Sequence, residues 1–154
     1  SPLYYDGDMP REAWIRDKFS YHIPLLFVGA TGIAVRLIAP FVEDKLRDSA
    51  VIVMDQRGRH VIPLLSGHMG GANEVARNLA DRVGAEVILT TATDVEDLFA
   101  VDVFARRNGF CIRDRAGIRR ISQRLLEGEK IRLAIDPAIT FFKEAGRAAS
   151  GRGK

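Results

Sequence analysis

The sequence is poor in cysteine, because Cys111 is the single cysteine among 154 residues. One thiol cannot form an intrachain disulfide, which excludes the disulfide-stapled secreted domains and predicts a cytoplasmic location. Histidine is also scarce, and the three histidines His22, His60 and His68 stand far apart. None of them pairs with a cysteine or a carboxylate at a metal-binding spacing, so no protein-held metal is expected.

Charge of one sign is not concentrated anywhere in the sequence. The formal net charge is +3 and the sequence pI is about 9.3. A mildly basic chain can attract polyanions, but dense Lys/Arg blocks interleaved with aromatic residues are missing. Nucleic acid is therefore not expected as a partner.

Long apolar runs are limited to residues 23–42, which are twenty residues long and carry only one charge, Arg36. That length would just span a bilayer. Two prolines and two glycines interrupt the run, and a strand, a turn and a short helix explain the same residues, so no membrane segment is expected. The first twenty residues hold seven charged side chains and no apolar core, so no signal peptide is expected there either.

What the sequence does contain is an alternation of strands and helices. Apolar runs predict strands at residues 23–28, 50–54, 61–65 and 86–90, and helical periodicity predicts helices at residues 10–19, 33–41 and 72–83. The turn at residues 91–94 supplies an N-cap for a further helix that runs to about residue 108. This order is typical of an α/β fold: a mostly parallel sheet with flanking helices, in a Rossmann-like three-layer arrangement. The turn at residues 55–58 makes the second and third strands candidates for one antiparallel hairpin.

The organisation changes after Gly109. Short strands are predicted at residues 110–112 and 131–135, with a helix at residues 116–127 between them. These pieces are too few to enclose a core of their own. We therefore expect a first domain at residues 1–109, a partial module at residues 110–144 and a flexible tail at residues 145–154.

The stretch from Leu64 to Glu74, LLSGHMGGANE, joins a predicted strand to a predicted helix through a glycine-rich turn. Three glycines at a helix N-terminus allow backbone N–H groups to face a carboxylate, a phosphate or an oxyanion. The alternative is that the glycines only bring the helix close to the sheet. Packing gives little reason for an imidazole in such a turn, so His68 is a candidate for function.

Two further turns, GATG at residues 29–32 and TTATD at residues 90–94, also follow predicted strands. Ligands of parallel α/β sheets gather outside the carboxyl ends of the strands, so all three turns are expected at one edge. The candidate binding residues are Gly29, Thr31, Gly32, Arg36, Gly67, Gly70, Gly71, Asn73, Thr91, Thr93 and Asp94. Two alternatives stay open: Thr93 and Asp94 as helix caps, and Arg36 as a solvated helix residue.

The segment from Gly29 to Asp94 resembles the N-terminal domain of the CbiG family of cobalamin-biosynthesis proteins, the cobalt-precorrin-5A hydrolases. The resemblance is carried by ATGIAVR, SGHMGGANE and TTATD in fixed order. Residues 98–136 are similar, more weakly, to the start of that family's central region. The family's separate C-terminal domain has no counterpart in the sequence.

The resemblance implies hydrolysis of a δ-lactone on a cobalt-corrinoid ring, with release of acetaldehyde. Water must attack the lactone carbonyl, so the chemistry needs a base and oxyanion donors. His68 is the candidate base, and the amides around Gly67, Gly70 and Gly71 are the candidate donors. Ser66 is the alternative nucleophile, activated by His68, although residues two apart on a turn seldom align. No cofactor is expected, since cobalt arrives with the substrate.

A second hypothesis is a non-catalytic scaffold that binds tetrapyrrole carboxylates while another domain performs the reaction. The same glycine turns would serve it. A generic nucleotide-binding domain is a weaker third reading, because neither G-x-G-x-x-G nor G-x-x-x-x-G-K-[ST] is present. The expected partner is the cobalt-corrinoid substrate, with a homo-oligomer or other enzymes of cobalamin biosynthesis as further candidates.

Overall fold

The structure is a computed structural model that describes residues 4–136, 138 and 139. It forms two compact units, one up to Leu89 and one from Thr90, and each is described by itself. The boundary predicted at residue 109 concerns the family's modules and stays a prediction. The predicted tail at residues 145–154 lies outside the described residues.

The first unit alternates helices and strands, as predicted. Its elements are α1 (Arg11–Ser20), β1 (Leu25–Val28), α2 (Thr31–Ile38), a 3₁₀ turn (Ala39–Phe41), β2 (Val51–Met54), β3 (His60–Leu65), α3 (Ala72–Val83) and β4 (Glu86–Val87). The α3 bounds agree with the prediction, and Gly84 at φ 70° forms its C-cap. β4 is shorter than the strand predicted at residues 86–90, because its pairing with β3 covers only two residues.

The four strands form one sheet in the order β1-β2-β3-β4. β1 runs parallel to β2, β2 and β3 form the expected antiparallel hairpin, and β3 runs parallel to β4. The α/β prediction with one hairpin is therefore confirmed. The hairpin divides the sheet into two pairs of strands that point in opposite directions.

Helices cover both faces of this sheet, since alternate strand residues point to opposite sides. On one face Ile52 and Val61 pack against the small residues Ala72, Ala76 and Ala80 of α3. On the other face α1 and α2 meet the sheet through a second core of Ile15, Phe19, Leu25, Ile38 and Val51. The small side chains of α3 let that helix lie close to the strands.

The hairpin turn is organised by the carboxylate of Asp55. Its Oδ1 accepts from the Arg57 N–H at 2.8 Å, and its Oδ2 accepts from the N–H groups of Arg59 at 2.9 Å and His60 at 2.6 Å. Partial burial raises the pKa of Asp55, but these backbone N–H groups and the His60 side chain together hold the pKa below its ordinary value. The ionised carboxylate therefore stabilises the turn.

The second unit contains α4 (Ala92–Val95), α5 (Val101–Arg107) and α6 (Arg115–Leu126). The prediction of one helix from the turn at residues 91–94 to about residue 108 is wrong, because α4 stops after a single turn and α5 begins only at Val101. Asp97 adopts a left-handed φ of 50°, and the Leu98 N–H donates to the Thr93 carbonyl at 2.8 Å. This is the hydrogen bond that closes a helix in a Schellman motif.

The strands predicted at residues 110–112 and 131–135 are also wrong, since neither segment pairs with another strand in the described part of the chain. The Phe110 N–H instead donates to the Ala105 carbonyl at 2.9 Å and terminates α5. Its ring packs on Phe104, with ring centroids 6.0 Å apart. α6 begins as a capped helix, because the Asp114 carboxylate accepts from the Gly117 N–H at 2.9 Å.

Every helix in the described residues is too short or too polar to span a bilayer.

We predict that Asp55→Asn lowers the Tm at pH 7, because a neutral amide cannot replace a carboxylate that accepts on both oxygens. The folded-state pKa of Asp55 is depressed, so its contribution is present above the unfolded pKa and is lost as the pH falls through the folded pKa. Thermal unfolding of both proteins from pH 7 down to pH 3 measures this. The Tm difference should shrink with acid; a constant difference would contradict the role of the charge.

Candidate functional site

The turns predicted to share one edge lie at opposite ends of the sheet. Val28, at the end of β1, pairs with Met54, which in turn pairs with Val61 near the start of β3. Leu65, at the end of β3, pairs with Val51 at the start of β2. The antiparallel hairpin reverses β3, so the turn after β1 and the turn after β3 leave the sheet in opposite directions. The expected single cleft containing both turns is wrong.

The GATG end carries four of the predicted binding residues. The Gly29 N–H donates to the Met54 carbonyl at 2.9 Å, which continues the β1 ladder. Thr31 begins α2 and is half-buried, whereas Gly32 is exposed. Arg36 is exposed in the last turn of α2, away from the GATG turn, where a cation also complements the helix dipole. This position fits a solvated helix residue.

The TTATD turn belongs entirely to the second unit, which begins at Thr90. Thr91 is the N-cap residue of α4, but its side chain makes no capping hydrogen bond. Thr93 is buried and Asp94 is half-buried within α4. Their predicted approach to the turn after β3 stays a prediction.

The loop from Ser66 to Gly71 connects β3 to α3 and closes on itself. The N–H groups of Gly71, Ala72 and Asn73 donate to the carbonyls of His68, Ser66 and Gly67 at 3.1, 3.1 and 3.0 Å. Gly71 has a left-handed φ of 83°. Its amide is committed to the loop, whereas the amides of Gly67 and Gly70 donate to no backbone carbonyl among the described residues. These two are the available oxyanion donors.

Two glycines of this loop are required by close packing. A Cβ on Gly70 would lie 2.8 Å from the Ser66 carbonyl oxygen and 3.2 Å from the Asp48 carbonyl oxygen. A Cβ on Gly67 would lie 2.5 Å from Asn73 Oδ1, and Asn73 is itself 5% exposed. Packing therefore accounts for both glycines, as the structural alternative predicted, and the same packing holds the loop in one conformation.

Ser66 combines backbone strain with an unsatisfied polar group. Its φ is 56°, a left-handed conformation that is uncommon for residues other than glycine. The residue is 9% exposed, and its Oγ has no hydrogen-bond partner within the part of the chain that is described. Because this oxygen is covered, a lactone carbonyl cannot reach it in this conformation. His68, two residues along the loop, is half-buried.

A cavity of about 260 Å³ opens beside this loop, at the end of the sheet where β3 finishes and β1 and β2 begin. Its lining residues are His22, Leu46, Arg47, Asp48, Ser49, Ala50, Met69 and Gly70. Only Gly70 belongs to the predicted binding set. The sequence carried no signal for the others, since His22 and Arg47 precede strands and the prediction considered only turns that follow them.

The arrangement suits recognition of an anion. Gly70 lines the cavity and its amide donates to no backbone carbonyl among the described residues, and the lining also contains the basic residues Arg47 and His22. Among the described residues, no group of three or more His, Cys, Asp or Glu side chains is placed to hold a metal ion. The chemistry open to this site is anion binding and acid–base catalysis by imidazole.

Comparison with known proteins places the loop within a family pattern. The family model described as "Cobalamin synthesis G N-terminal", named CbiG_N, matches residues 13–94, more than half of the chain. The model "Cobalamin biosynthesis central region", named CbiG_mid, matches residues 99–147. The first match contains the whole loop after β3 and all of the residues that line the cavity.

Individual relatives agree with these matches. The chain is 44% identical over 137 residues to a cobalt-precorrin-5A hydrolase from Salmonella typhimurium, covering 88% of this chain and 38% of that protein. It is 38% identical over 113 residues to the cobalt-precorrin-5A hydrolase of Priestia megaterium, covering 73% of this chain and 30% of the relative. The chain thus spans about a third of these relatives' length.

A solved structure of a cobalamin biosynthesis protein G homologue from Sulfolobus solfataricus is also similar. The TM-score is 0.49 at 24% identity, and the match covers 86% of this chain and 40% of that one.

We predict that Gly70→Ala and Gly67→Ala each lower the free energy of unfolding by about 1–3 kcal/mol, the usual cost of overpacking. Gly32→Ala is the matched control, because a Cβ there meets nothing within 4 Å and the residue lies in α2. That change should stabilise the protein by about 0.5–1 kcal/mol. Urea unfolding measures all three. Equal stability of Gly70→Ala and wild type would contradict the packing shown by the structure.

We also predict that Ser66→Gly raises the free energy of unfolding by about 0.5–1 kcal/mol. The left-handed penalty of about 1–2 kcal/mol exceeds the extra backbone entropy of glycine, about 0.5–1 kcal/mol. Ser66→Ala keeps the strained φ and removes only the unpartnered hydroxyl, so its stability should stay near that of wild type. If both variants were destabilised equally in urea unfolding, the hydroxyl would have a partner and this interpretation would fail.

Proposed function

Because this chain belongs to the CbiG family of cobalamin-biosynthesis proteins, we propose that it acts in the hydrolysis of cobalt-precorrin-5A. In this reaction the δ-lactone of the cobalt-corrinoid is opened and a two-carbon unit leaves as acetaldehyde. Cobalt enters as part of the substrate. The chain spans about a third of the relatives that carry this name, so the activity is proposed for it and not transferred from them.

The observation that carries the proposal is the family match across residues 13–94, which includes the loop from Ser66 to Gly71. That loop is held by its own hydrogen bonds and by Gly70 packing on Asp48. It contains a half-buried imidazole and two amides outside the backbone hydrogen-bond network. A base and oxyanion donors in a preorganised loop are what lactone hydrolysis requires.

In the proposed mechanism His68 removes a proton from water as the water oxygen attacks the lactone carbonyl. The amides of Gly67 and Gly70 stabilise the resulting oxyanion. Collapse of this intermediate breaks the bond to the ring oxygen, which takes up the proton from His68. The products of this step are a carboxylate and a hydroxyl on the two-carbon unit. Loss of the hydroxyl proton then breaks the carbon–carbon bond to the macrocycle: the two-carbon unit leaves as acetaldehyde, and the macrocycle carbon keeps the electron pair and takes up a proton. Water is the nucleophile in this scheme, because the Ser66 hydroxyl is covered.

The substrate is proposed to bind at the end of the sheet that holds the Ser66–Asn73 segment. Gly71 and Asn73 shape that segment through their hydrogen bonds and packing. Thr91, Thr93 and Asp94 are proposed as further contacts. The GATG residues lie at the other end of the sheet and are not included in this site.

We place the reaction in the cytoplasm, in keeping with the free thiol of Cys111. Association with a second copy or with other enzymes of cobalamin biosynthesis is part of the same proposal.

We predict that His68→Ala lowers turnover of cobalt-precorrin-5A by a factor of about 10² to 10⁴, the usual contribution of a general base. Acetaldehyde release, followed through an aldehyde-reducing coupling enzyme, measures the rate. His60→Gln is the matched control, since His60 lies at the other end of β3 and should leave turnover unchanged. Retained turnover in a folded His68→Ala protein would remove His68 from the mechanism.

The alternative function, a non-catalytic scaffold for tetrapyrrole carboxylates, is favoured by the cationic cavity beside the loop. The two functions separate in one experiment with this chain. Hydrolysis of the lactone by the purified chain supports the enzyme, whereas tight corrinoid binding without acetaldehyde release supports the scaffold.

A further inference from the structure

The cavity beside the glycine-rich loop has an unbalanced positive charge. Arg47 belongs to the lining, is exposed and forms no ion pair with a described residue. The one carboxylate in the lining, Asp48, is buried and already accepts from the N–H groups of Glu43 and Asp44 at 3.1–3.2 Å. The Asp48 carboxylate therefore accepts hydrogen bonds from the backbone and forms no ion pair with Arg47.

The backbone that carries Arg47 is preorganised. The N–H groups of Arg47 and Asp48 both donate to the Asp44 carbonyl at 2.8 Å, and the Leu46 N–H donates to Asp44 Oδ1 at 2.9 Å. Ser49 Oγ donates to the Phe19 carbonyl at 2.9 Å, which ties this segment to the end of α1. A fixed backbone lowers the entropy lost when Arg47 binds an anion.

His22 directly follows the C-cap residue of α1 and adopts a backbone conformation that favours glycine. Its φ is 55°, and the Ile23 N–H donates to the Lys18 carbonyl at 3.1 Å, as in a Schellman motif. Glycine is the usual residue here because it has no Cβ. A histidine at this position lowers the stability of the fold. Strained residues of this kind are common at binding sites, so the imidazole is a candidate for binding a ligand in the cavity.

Part of the lining is apolar, and the cavity is small. Leu46, Ala50 and Met69 contribute hydrophobic surface to about 260 Å³. Sites for whole drug-sized ligands occupy roughly 300–1,000 Å³, so this cavity takes one arm and a ring edge of a large molecule. A carboxylate arm on an apolar macrocycle matches both the cationic and the apolar parts of the lining.

We propose that Arg47 and His22 form a binding subsite for one carboxylate side chain of the corrinoid, with Leu46 and Met69 against the adjoining ring. This inference rests on the proposed function for the identity of the ligand. Arg47 and His22 are positioning residues in this scheme, and they anchor the macrocycle beside the His68 loop. An Arg guanidinium suits the task because its planar N–H groups match a carboxylate.

The test is equilibrium binding to the full chain by isothermal titration calorimetry. The probes are cobyrinic acid, a corrin polycarboxylate, and its fully methylated ester, which has the same ring without the charges. Arg47→Gln should weaken binding of the acid roughly tenfold to a hundredfold, as expected for a lost charged hydrogen bond, and leave the ester unaffected. Arg82→Gln, an exposed change at the far end of α3, is the control and should alter neither affinity.

His22→Gly gives a second, independent measurement, because its two effects have opposite signs. The Tm should rise as the strained φ is relieved, while affinity for the acid should fall. His22→Asn tolerates the same φ without an imidazole, so it should also bind the acid more weakly. Weaker binding therefore cannot be ascribed to loss of the fold.

The proposal is overturned if the acid binds no more tightly than the ester, if wild type binds neither probe, or if Arg47→Gln matches Arg82→Gln. These outcomes are separate from failure of the hydrolase. If Arg47→Gln still releases acetaldehyde with an unchanged KM, the subsite proposal is refuted and the proposed hydrolase activity is retained. If the acid binds in an Arg47-dependent way but no acetaldehyde is released, the proposed hydrolase activity is refuted and the subsite proposal is retained.

Discussion

The antiparallel pairing of β2 with β3 is the constraint on which the rest of the first unit depends. The Asp55 carboxylate closes the turn between them through three backbone N–H groups, and the reversal sets the direction of every later element. It carries the end of β3 to the start of β1 and β2. The glycine-rich loop therefore meets the segments that precede these strands, which creates the cavity with Arg47 and His22.

Close packing then converts this topology into a defined site. Gly70 lies against the backbone of Ser66 and of Asp48, so the loop after β3 and the segment before β2 fix each other's position. The Asp48 carboxylate in turn accepts hydrogen bonds from two backbone N–H groups. The glycines thus permit tight packing, and that packing fixes Gly70 in the lining of the cavity.

Backbone strain concentrates at the same end of the sheet. His22 and Ser66 both adopt left-handed φ values, 55° and 56°, where glycine would be more stable. Strain of this kind persists when surrounding structure enforces it and is common at functional sites. One strained residue lines the cavity and the other opens the loop that bears His68.

Much of this fold was predictable because its signals are local. The apolar runs and helical periodicity indicated β1, β2, β3 and α3, and the turn at residues 55–58 indicated the hairpin. Signals of tertiary pairing were weaker. Residues 110–112 and 131–135 have strand-like composition but no partner strand among the described residues. α4 ends at Val95, and the left-handed conformation of Asp97 that follows it is not shown by composition.

The sequence by itself determined the α/β class, the family and the loop that carries Ser66, Gly70 and His68, because these depend on residue types at short spacing. Only the tertiary structure decided which end of the sheet that loop occupies and which residues face it. Arg47 and His22 precede strands and stand 25 positions apart in the sequence, and Met69 follows Arg47 by a further 22 positions. Pairing across the sheet brings them together, and no local pattern records that pairing.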